Sequence, residues 1–162
     1  MYCDRGDKKL LLVGHEDGSI QIFHHKKPDD ADTSSWSLLA NIKSQSKLIQ
    51  CLALHPQFDE EGETAMFSNY LASASNEFTV HVFDLTSILE NTGDTDHDNL
   101  VDNYALVDVS TPHVVVTPHL ILSGHLQRVI ELSWSPHHPN YLCSVSYDFS
   151  CQVIILIYDW LT

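Results

Sequence analysis

Short runs of alternating apolar and polar residues recur along this chain, separated by turns that contain Gly, Ser, Asp or Pro. A period of two residues predicts β-strands that each turn one face toward a core. The clearest runs lie at 129–135 and 141–146 and are followed by a strand that begins at Ser150. Helical spacing is absent, apart from one short turn near 86–90. The pattern therefore predicts an all-β protein.

The runs are arranged in three similar units, which indicates an internal repeat. The third unit is the most regular, the middle unit follows the same order around an insertion, and the first unit carries only part of it. The predicted organisation is a partial repeat at 8–43, a repeat at 44–85 with an insertion at 58–69, an acidic loop insertion at 86–118, a repeat at 119–153 and an atypical C-terminal tail at 154–162.

Three motifs of the third unit occur in a characteristic order: Gly-His at 124–125, Trp-Ser-Pro at 134–136, and Ser-x-Ser-x-Asp ending at Asp148. With a repeat period of about 40 residues, this order resembles the WD40-repeat family. The resemblance implies a β-propeller, which needs roughly 4–8 four-stranded blades to close. Since only about ten strands are predicted, we expect a partial WD40 β-propeller of about three incomplete four-stranded blades. Its open sheet edges would pair with other strands, which indicates a fragment or an abnormal product.

The WD40 resemblance also implies a hydrogen-bonded tetrad formed by a turn His, a strand Ser, an Asp before the last strand and a strand Trp. In the third unit the matching residues are His125, Asp148 and either Ser144 or Ser146. Such a cluster is physically reasonable because a carboxylate buried between strands needs hydrogen-bond donors. The assigned role of these residues is structural.

The middle unit departs from this motif. It has Gln45-Ser46 where Gly-His is expected and Glu77 where Asp is expected, although it keeps Phe83-Asp84 in place of Trp-Asp. We therefore expect the middle unit to lack the tetrad.

The sequence LSGHLQRVIELSWSPHHPNYLCSVSYD is more specific than the general repeat. It resembles the second propeller of the Gemin-five family, the WD-repeat subunits of the survival-of-motor-neuron complex. Upstream segments agree in order: EDGSIQIF, then SKLIQCLALHP, then YLASASNEFTVHVFDL. The resemblance implies recognition of the uridine-rich Sm site in small nuclear RNA precursors for spliceosomal particle assembly. The implied partners are small nuclear RNA and subunits of that complex.

Two RNA-contact positions of the Gemin-five family correspond to Arg128 and Tyr147. Unpaired bases are read by stacking on aromatic or guanidinium planes, and cations meet the phosphates. A structural interpretation stays open: Arg128 caps an exposed strand, and Tyr147 is a half-buried turn aromatic. The family's cap-binding aromatic residues correspond to blades outside this chain.

The charge balance is acidic, with 8 Lys plus Arg against 22 Asp plus Glu and a net charge of −14. This balance disfavours a protein that binds nucleic acid over its whole surface, because phosphate neutralisation needs clustered Lys and Arg. The acids concentrate in three segments that are predicted to be loops, so a local RNA site remains compatible with the composition. A protein-interaction scaffold of the WD40 class without RNA binding is the alternative function, and composition favours it.

No metal site or cofactor is predicted. Eleven histidines are present, but HExxH and CxxC motifs are absent, and adjacent His pairs in a strand point to opposite faces. Ser, His and Asp of the third unit have the spacing of the tetrad, so no enzyme is predicted.

The four cysteines show no paired spacing, and no signal peptide or membrane-spanning run is visible. We therefore expect reduced thiols in a protein of the cytoplasm and nucleus, with neither a membrane nor DNA as a partner.

Overall fold

A computed structural model of the protein describes residues 1–5, 8–26, 35–43, 45–56, 69–90 and 116–156. Residues 58–68 of the first predicted insertion, 91–115 of the acidic insertion and 157–162 of the predicted tail lie outside the described residues. The described residues form eleven β-strands and one short helix.

The strands form three antiparallel sheets, in each of which consecutive strands are neighbours. The all-β prediction is confirmed, and the three sheets are the blades of a partial propeller. Blade 1 contains β1 (Tyr2–Arg5), β2 (Lys8–Gly14), β3 (Ser19–Lys26) and β4 (Ser35–Lys43); blade 2 contains β5 (Ile49–Leu54), β6 (Tyr70–Ser75), β7 (Val80–Asp84) and β8 (Leu120–Leu122), with helix α1 (Thr86–Glu90) between β7 and β8; blade 3 contains β9 (Val129–Trp134), β10 (Tyr141–Ser146) and β11 (Cys151–Ile155).

Each sequence repeat is offset from a blade by one strand. The first strand of the predicted 119–153 repeat is β8, which pairs with β7 and completes blade 2. At the other end, β11 continues to Ile155, so the predicted boundary after residue 153 falls inside a strand. Blade 1 has four strands where three were expected, because the four-residue strand β1 is too short and polar to show alternation.

The core lies between the blades because alternate residues of each strand face the neighbouring sheet. One buried cluster joins blade 1 to blade 2, and a second joins blade 2 to blade 3. Burial of such side chains stabilises the folded state by about 25 cal/mol for each Å² of apolar surface removed from water. None of the helices in the described part of the chain is long and apolar enough to span a membrane.

A Trp–His contact fixes the position of blade 3 against blade 2. Trp134 donates a hydrogen bond from Nε1 to the carbonyl oxygen of Ala53 at 2.9 Å, and its ring meets His55 edge-on with 4.9 Å between centroids. The Nε2 atom of His55 lies 2.6 Å from the carbonyl oxygen of Pro139. Because these bonds cross between sheets, they hold the loops of the two blades in a fixed relation.

Candidate functional site

Two kinds of connection carry the candidate residues. An inter-blade loop joins the last strand of one blade to the first strand of the next, as residues 123–128 do between blades 2 and 3. A hairpin turn joins the second and third strands of a blade, as residues 147–150 do in blade 3. The structure brings the 123–128 loop against the 147–150 turn, because Tyr147 donates a backbone hydrogen bond to the carbonyl oxygen of Arg128 at 3.1 Å.

Asp148 ties the loop to the turn. Its Oδ1 atom accepts hydrogen bonds from the backbone N–H and the hydroxyl of Ser150, at 2.8 and 2.5 Å. Its Oδ2 atom accepts a hydrogen bond from the backbone N–H of Leu126 at 2.8 Å and lies 3.1 Å from Nδ1 of His125. These donors, with Ser150 first, hold the pKa of the Asp148 carboxyl well below its usual range.

His125 links the carboxylate to the middle strand of blade 3. Because a carboxylate only accepts, Nδ1 is the donor in the contact with Asp148. The hydroxyl of Ser144 lies 2.8 Å from Nε2, and both residues are buried. Ser146 has other partners: it donates to the carbonyl oxygen of Gln127 and accepts from the N–H of Asp148. Ser144 is therefore the serine that meets His125, and Ile154 stands where a tetrad Trp would lie.

Arg128 and Tyr147, the two predicted RNA-contact residues, are adjacent in space. The guanidinium carbon of Arg128 lies 4.2 Å from the centroid of the Tyr147 ring, within the range of a cation–π contact. Both side chains are exposed, and Tyr147 retains 45% of its accessible surface. The guanidinium therefore covers one face of the Tyr147 ring and places a positive charge above it.

Next to this pair, an inter-blade groove with a volume of about 340 Å³ opens between blades 2 and 3. Its lining residues are Asn76, Phe78, Gln127, Arg128 and Tyr147. Asn76 and Phe78 were not predicted from the sequence. The signal that could have found them is the match of SNEF at 75–78 with SYDF at 146–149, which places Phe78 in the same kind of turn as Tyr147.

In blade 2 a carboxylate also links the inter-blade loop to the hairpin turn, but with different side chains. The backbone N–H of Ser46 donates to Oε1 of Glu77 at 2.9 Å, and the Ser46 hydroxyl donates to the same oxygen. These bonds hold the pKa of Glu77 below its usual value. Asn76 donates to the carbonyl oxygen of Leu48, as Tyr147 does to that of Arg128 in blade 3.

These bonds correct the predicted register of the middle unit by one residue. Ser46 takes the place of Leu126, so Gln45 takes the place of His125. The Gln45 side chain is 5% exposed, and neither its nitrogen nor its oxygen has a hydrogen-bond partner among the described residues. Blade 2 therefore lacks the histidine but keeps the bond between carboxylate and loop.

Metal ligation has no support in the described ranges, where no group of three or more His, Cys, Asp and Glu residues is placed to hold an ion.

Comparison with known proteins identifies the repeat. Residues 116–154 match the family model described as WD domain, G-beta repeat, so the predicted WD40 repeat is confirmed there. The chain is 32% identical over 149 residues to Gem-associated protein 5 of Mus musculus and 29% identical to that of Homo sapiens. The predicted resemblance to the Gemin-five family is confirmed. Each alignment covers 92% of this chain, which spans 8% of the length of either relative.

Two solved structures share the fold. One is Chaetomium thermophilum Sqt1 bound to the N-terminus of ribosomal protein L10, with a TM-score of 0.58 and 22% identity over 93% of this chain and 30% of Sqt1. The other is the WD40 domain of Toxoplasma gondii coronin, with a TM-score of 0.50 and 18% identity over 90% of this chain and 28% of the coronin chain. At these identities the likeness concerns the propeller fold alone.

Proposed function

We propose that this chain is an RNA-binding WD-repeat segment that recognises the single-stranded Sm site of small nuclear RNA precursors. In this role it would serve spliceosomal particle assembly in cytoplasm and nucleus, together with subunits of the survival-of-motor-neuron complex. The observation that carries the proposal is the Arg128–Tyr147 pair, with the guanidinium 4.2 Å from the ring centroid at the mouth of the inter-blade groove. The similarity to Gem-associated protein 5 over 92% of the chain supports the choice of RNA.

In the proposed mode of binding, Tyr147 stacks on one unpaired base while Arg128 meets the adjacent phosphate. Base–aromatic stacking contributes roughly 1–3 kcal/mol per base and tolerates different bases. The role is one of binding, and no chemical step is assigned to either residue.

The hydrogen bonds around Asp148 prepare this surface before RNA arrives. The Asp148 carboxylate accepts a hydrogen bond from the N–H of Leu126, and the N–H of Tyr147 donates one to the carbonyl oxygen of Arg128. Both ends of the 126–128 segment are therefore hydrogen-bonded to the turn. A preordered loop loses less conformational entropy on binding than a free one. His125 and Asp148 are therefore positioning residues for Arg128 and Tyr147.

The acidic charge of the chain limits the phosphate contribution. The groove contains one cationic lining residue, Arg128, and each phosphate contact adds a slope of about −0.7 to log K against log salt for a single strand. We therefore expect a shallow salt dependence, with most of the affinity coming from stacking.

The test is binding of a fluorescent uridine-rich Sm-site RNA to the folded chain, followed by anisotropy over a salt series. Tyr147→Ala should weaken binding roughly 5- to 150-fold, the equivalent of one stacked base, and Arg128→Ala should also flatten the salt slope. Tyr2→Ala is the matched control, because Tyr2 is an exposed aromatic of blade 1 outside the groove. Absence of saturable binding by the folded chain, or equal losses for Tyr147→Ala and Tyr2→Ala, would overturn the proposal.

One observation favours a second function, a protein-interaction scaffold without RNA binding: the net charge of −14 repels nucleic acid and suits a basic peptide. The same binding measurement separates the two functions. A scaffold would bind basic peptides with an affinity that falls steeply with salt and is indifferent to Tyr147→Ala.

A further inference from the structure

Two phenylalanines have backbone conformations that residues other than glycine rarely adopt. Phe78 has φ of 68° and Phe149 has φ of 67°, and no other described residue besides glycine has positive φ. Each follows the acidic residue of its hairpin turn, as Gly18, with φ of 81°, follows Asp17 in blade 1. Glycine is the ordinary residue at such a position because it has no Cβ to clash with the backbone.

Packing does not compensate for this strain at Phe149. Its side chain is 98% exposed, and it therefore buries almost no apolar surface. Phe78 is 43% exposed and lines the inter-blade groove together with Tyr147. Backbone strain without a stabilising contact is characteristic of residues kept for binding.

The two phenylalanines lie in corresponding hairpin turns, each of which donates a backbone hydrogen bond to an inter-blade loop. Tyr147 and Phe149 stand on either side of Asp148 in one turn, and the Asp148 side chain fixes that turn through Ser150 and Leu126. Phe78 reaches the groove from the corresponding turn of blade 2. Exposed rings thus extend from blade 3 to blade 2.

We propose that Phe149 and Phe78 are additional base-stacking surfaces, so that the site takes a run of about three unpaired nucleotides, one for each ring, instead of a single base. This inference rests on the proposed RNA-binding function. The ligand class is single-stranded RNA, because a ring can stack only on a base whose face is free. Arg128, which contacts the Tyr147 ring and lines the same groove, supplies the cation for a phosphate of this run.

Glycine substitutions at the two strained positions distinguish a role in RNA binding from a role in the stability of the fold. Phe149→Gly and Phe78→Gly remove a ring and also relieve the positive φ, so we expect RNA affinity to fall about 5- to 150-fold for each. The urea midpoint of unfolding should stay constant or rise. A residue that served only the fold would lower the midpoint when replaced. Phe149→Tyr keeps an aromatic face and should retain the affinity, whereas Phe149→Leu keeps only an apolar side chain and should lose it.

A length series of uridine oligonucleotides gives a second readout. For the unchanged chain, affinity should rise with each added nucleotide up to about three and then level off. The affinity of Phe149→Gly should stop rising one nucleotide earlier. If Tyr147→Ala weakens binding while both glycine variants bind as the unchanged chain does, this inference fails and the proposed function stands. If the unchanged folded chain binds no RNA, both fail. A lower midpoint for Phe149→Gly, or full affinity for Phe149→Leu, would also overturn the inference.

Discussion

Blades 2 and 3 make the same connection between loop and turn with different side chains. In blade 3 the short carboxylate of Asp148 reaches the N–H of Leu126, and in blade 2 the longer Glu77 reaches the N–H of Ser46. Both turns also donate a backbone bond to the loop. The comparison shows that the repeat requires an acceptor at this place and that it tolerates an extra methylene in the side chain that supplies it.

The two blades differ most at the buried position beside this bond. His125 meets both a carboxylate and Ser144, so its two nitrogens have partners. Gln45 occupies the same place in blade 2, and its amide has no partner among the described residues. A buried polar group without a partner costs free energy, so blade 2 carries a local defect that blade 3 does not.

The residues that make the backbone bond between turn and loop differ as well. The backbone bond made by Tyr147 to Arg128 is made in blade 2 by Asn76 to Leu48. The same scaffold thus carries an arginine–aromatic pair in one blade and an amide–leucine pair in the other. Similar hydrogen bonds at the two turns are therefore compatible with different side chains on loop and turn.

The largest expected effect comes from removing the histidine of blade 3. His125→Ala leaves the Ser144 hydroxyl and the Asp148 carboxylate short of a partner, and we expect the free energy of unfolding to fall by about 2 kcal/mol. Urea denaturation followed by circular dichroism measures the change. Gln127→Ala, an exposed neighbour in the same loop, should change stability by less than about 0.5 kcal/mol. Equal effects of the two variants would mean that the His125 network does not stabilise blade 3.

A smaller effect of opposite sign is expected at the matching position of blade 2. Gln45→Leu replaces the buried amide with an apolar group of similar size and should raise the free energy of unfolding by about 1 kcal/mol. The same denaturation experiment measures it. A loss of stability would show that the Gln45 amide has a partner that stabilises the blade, and the contrast between the blades would disappear.

The stability of the protein at acid pH should depend more on the Asp148 carboxylate than on the Glu77 carboxylate. The pKa values of Asp148 and Glu77 are lowered in the folded state, so their stabilisation is complete above the unfolded values of about 4 and is lost as pH falls through the folded values. We expect the free energy of unfolding to decrease from about pH 5 downward. Asp148→Asn should flatten this decrease more than Glu77→Gln, because the pKa of Asp148 is lowered more strongly. An unchanged slope in Asp148→Asn would contradict the prediction.

The smallest effect concerns thiol reactivity and leaves stability unchanged. Burial raises the pKa of Cys51 in blade 2 to about 12, so its thiolate fraction at pH 8 is about 10⁻⁴. Cys151 lies exposed on the outer strand of blade 3. Iodoacetamide at pH 8, followed by peptide mass spectrometry, should modify Cys151 first and Cys51 last. Equal rates would show that blade 3 does not cover Cys51.

Prediction from the sequence located the strands well where alternation was regular, as at 129–135 and 141–146. It missed β1, which is four residues long, and it placed Gln45 one position out of register because a loop has no periodicity to align. It left Ser144 and Ser146 as alternatives, since both lie on the same face of β10. It also missed the proximity of Cys143 and Cys151, whose sulfurs are 3.2 Å apart across β10 and β11 although the residues are eight positions apart in the chain.

The sequence by itself determined the strand pattern, the repeat and the order of its motifs, because these are local and recur with a fixed spacing. Its acidic balance was equally plain. Only the tertiary structure decided which serine meets His125, that Arg128 lies over Tyr147, and that Phe78 of blade 2 shares a groove with both. These relations depend on how one sheet packs against the next and on the twist of each hairpin, which no window of a single strand contains.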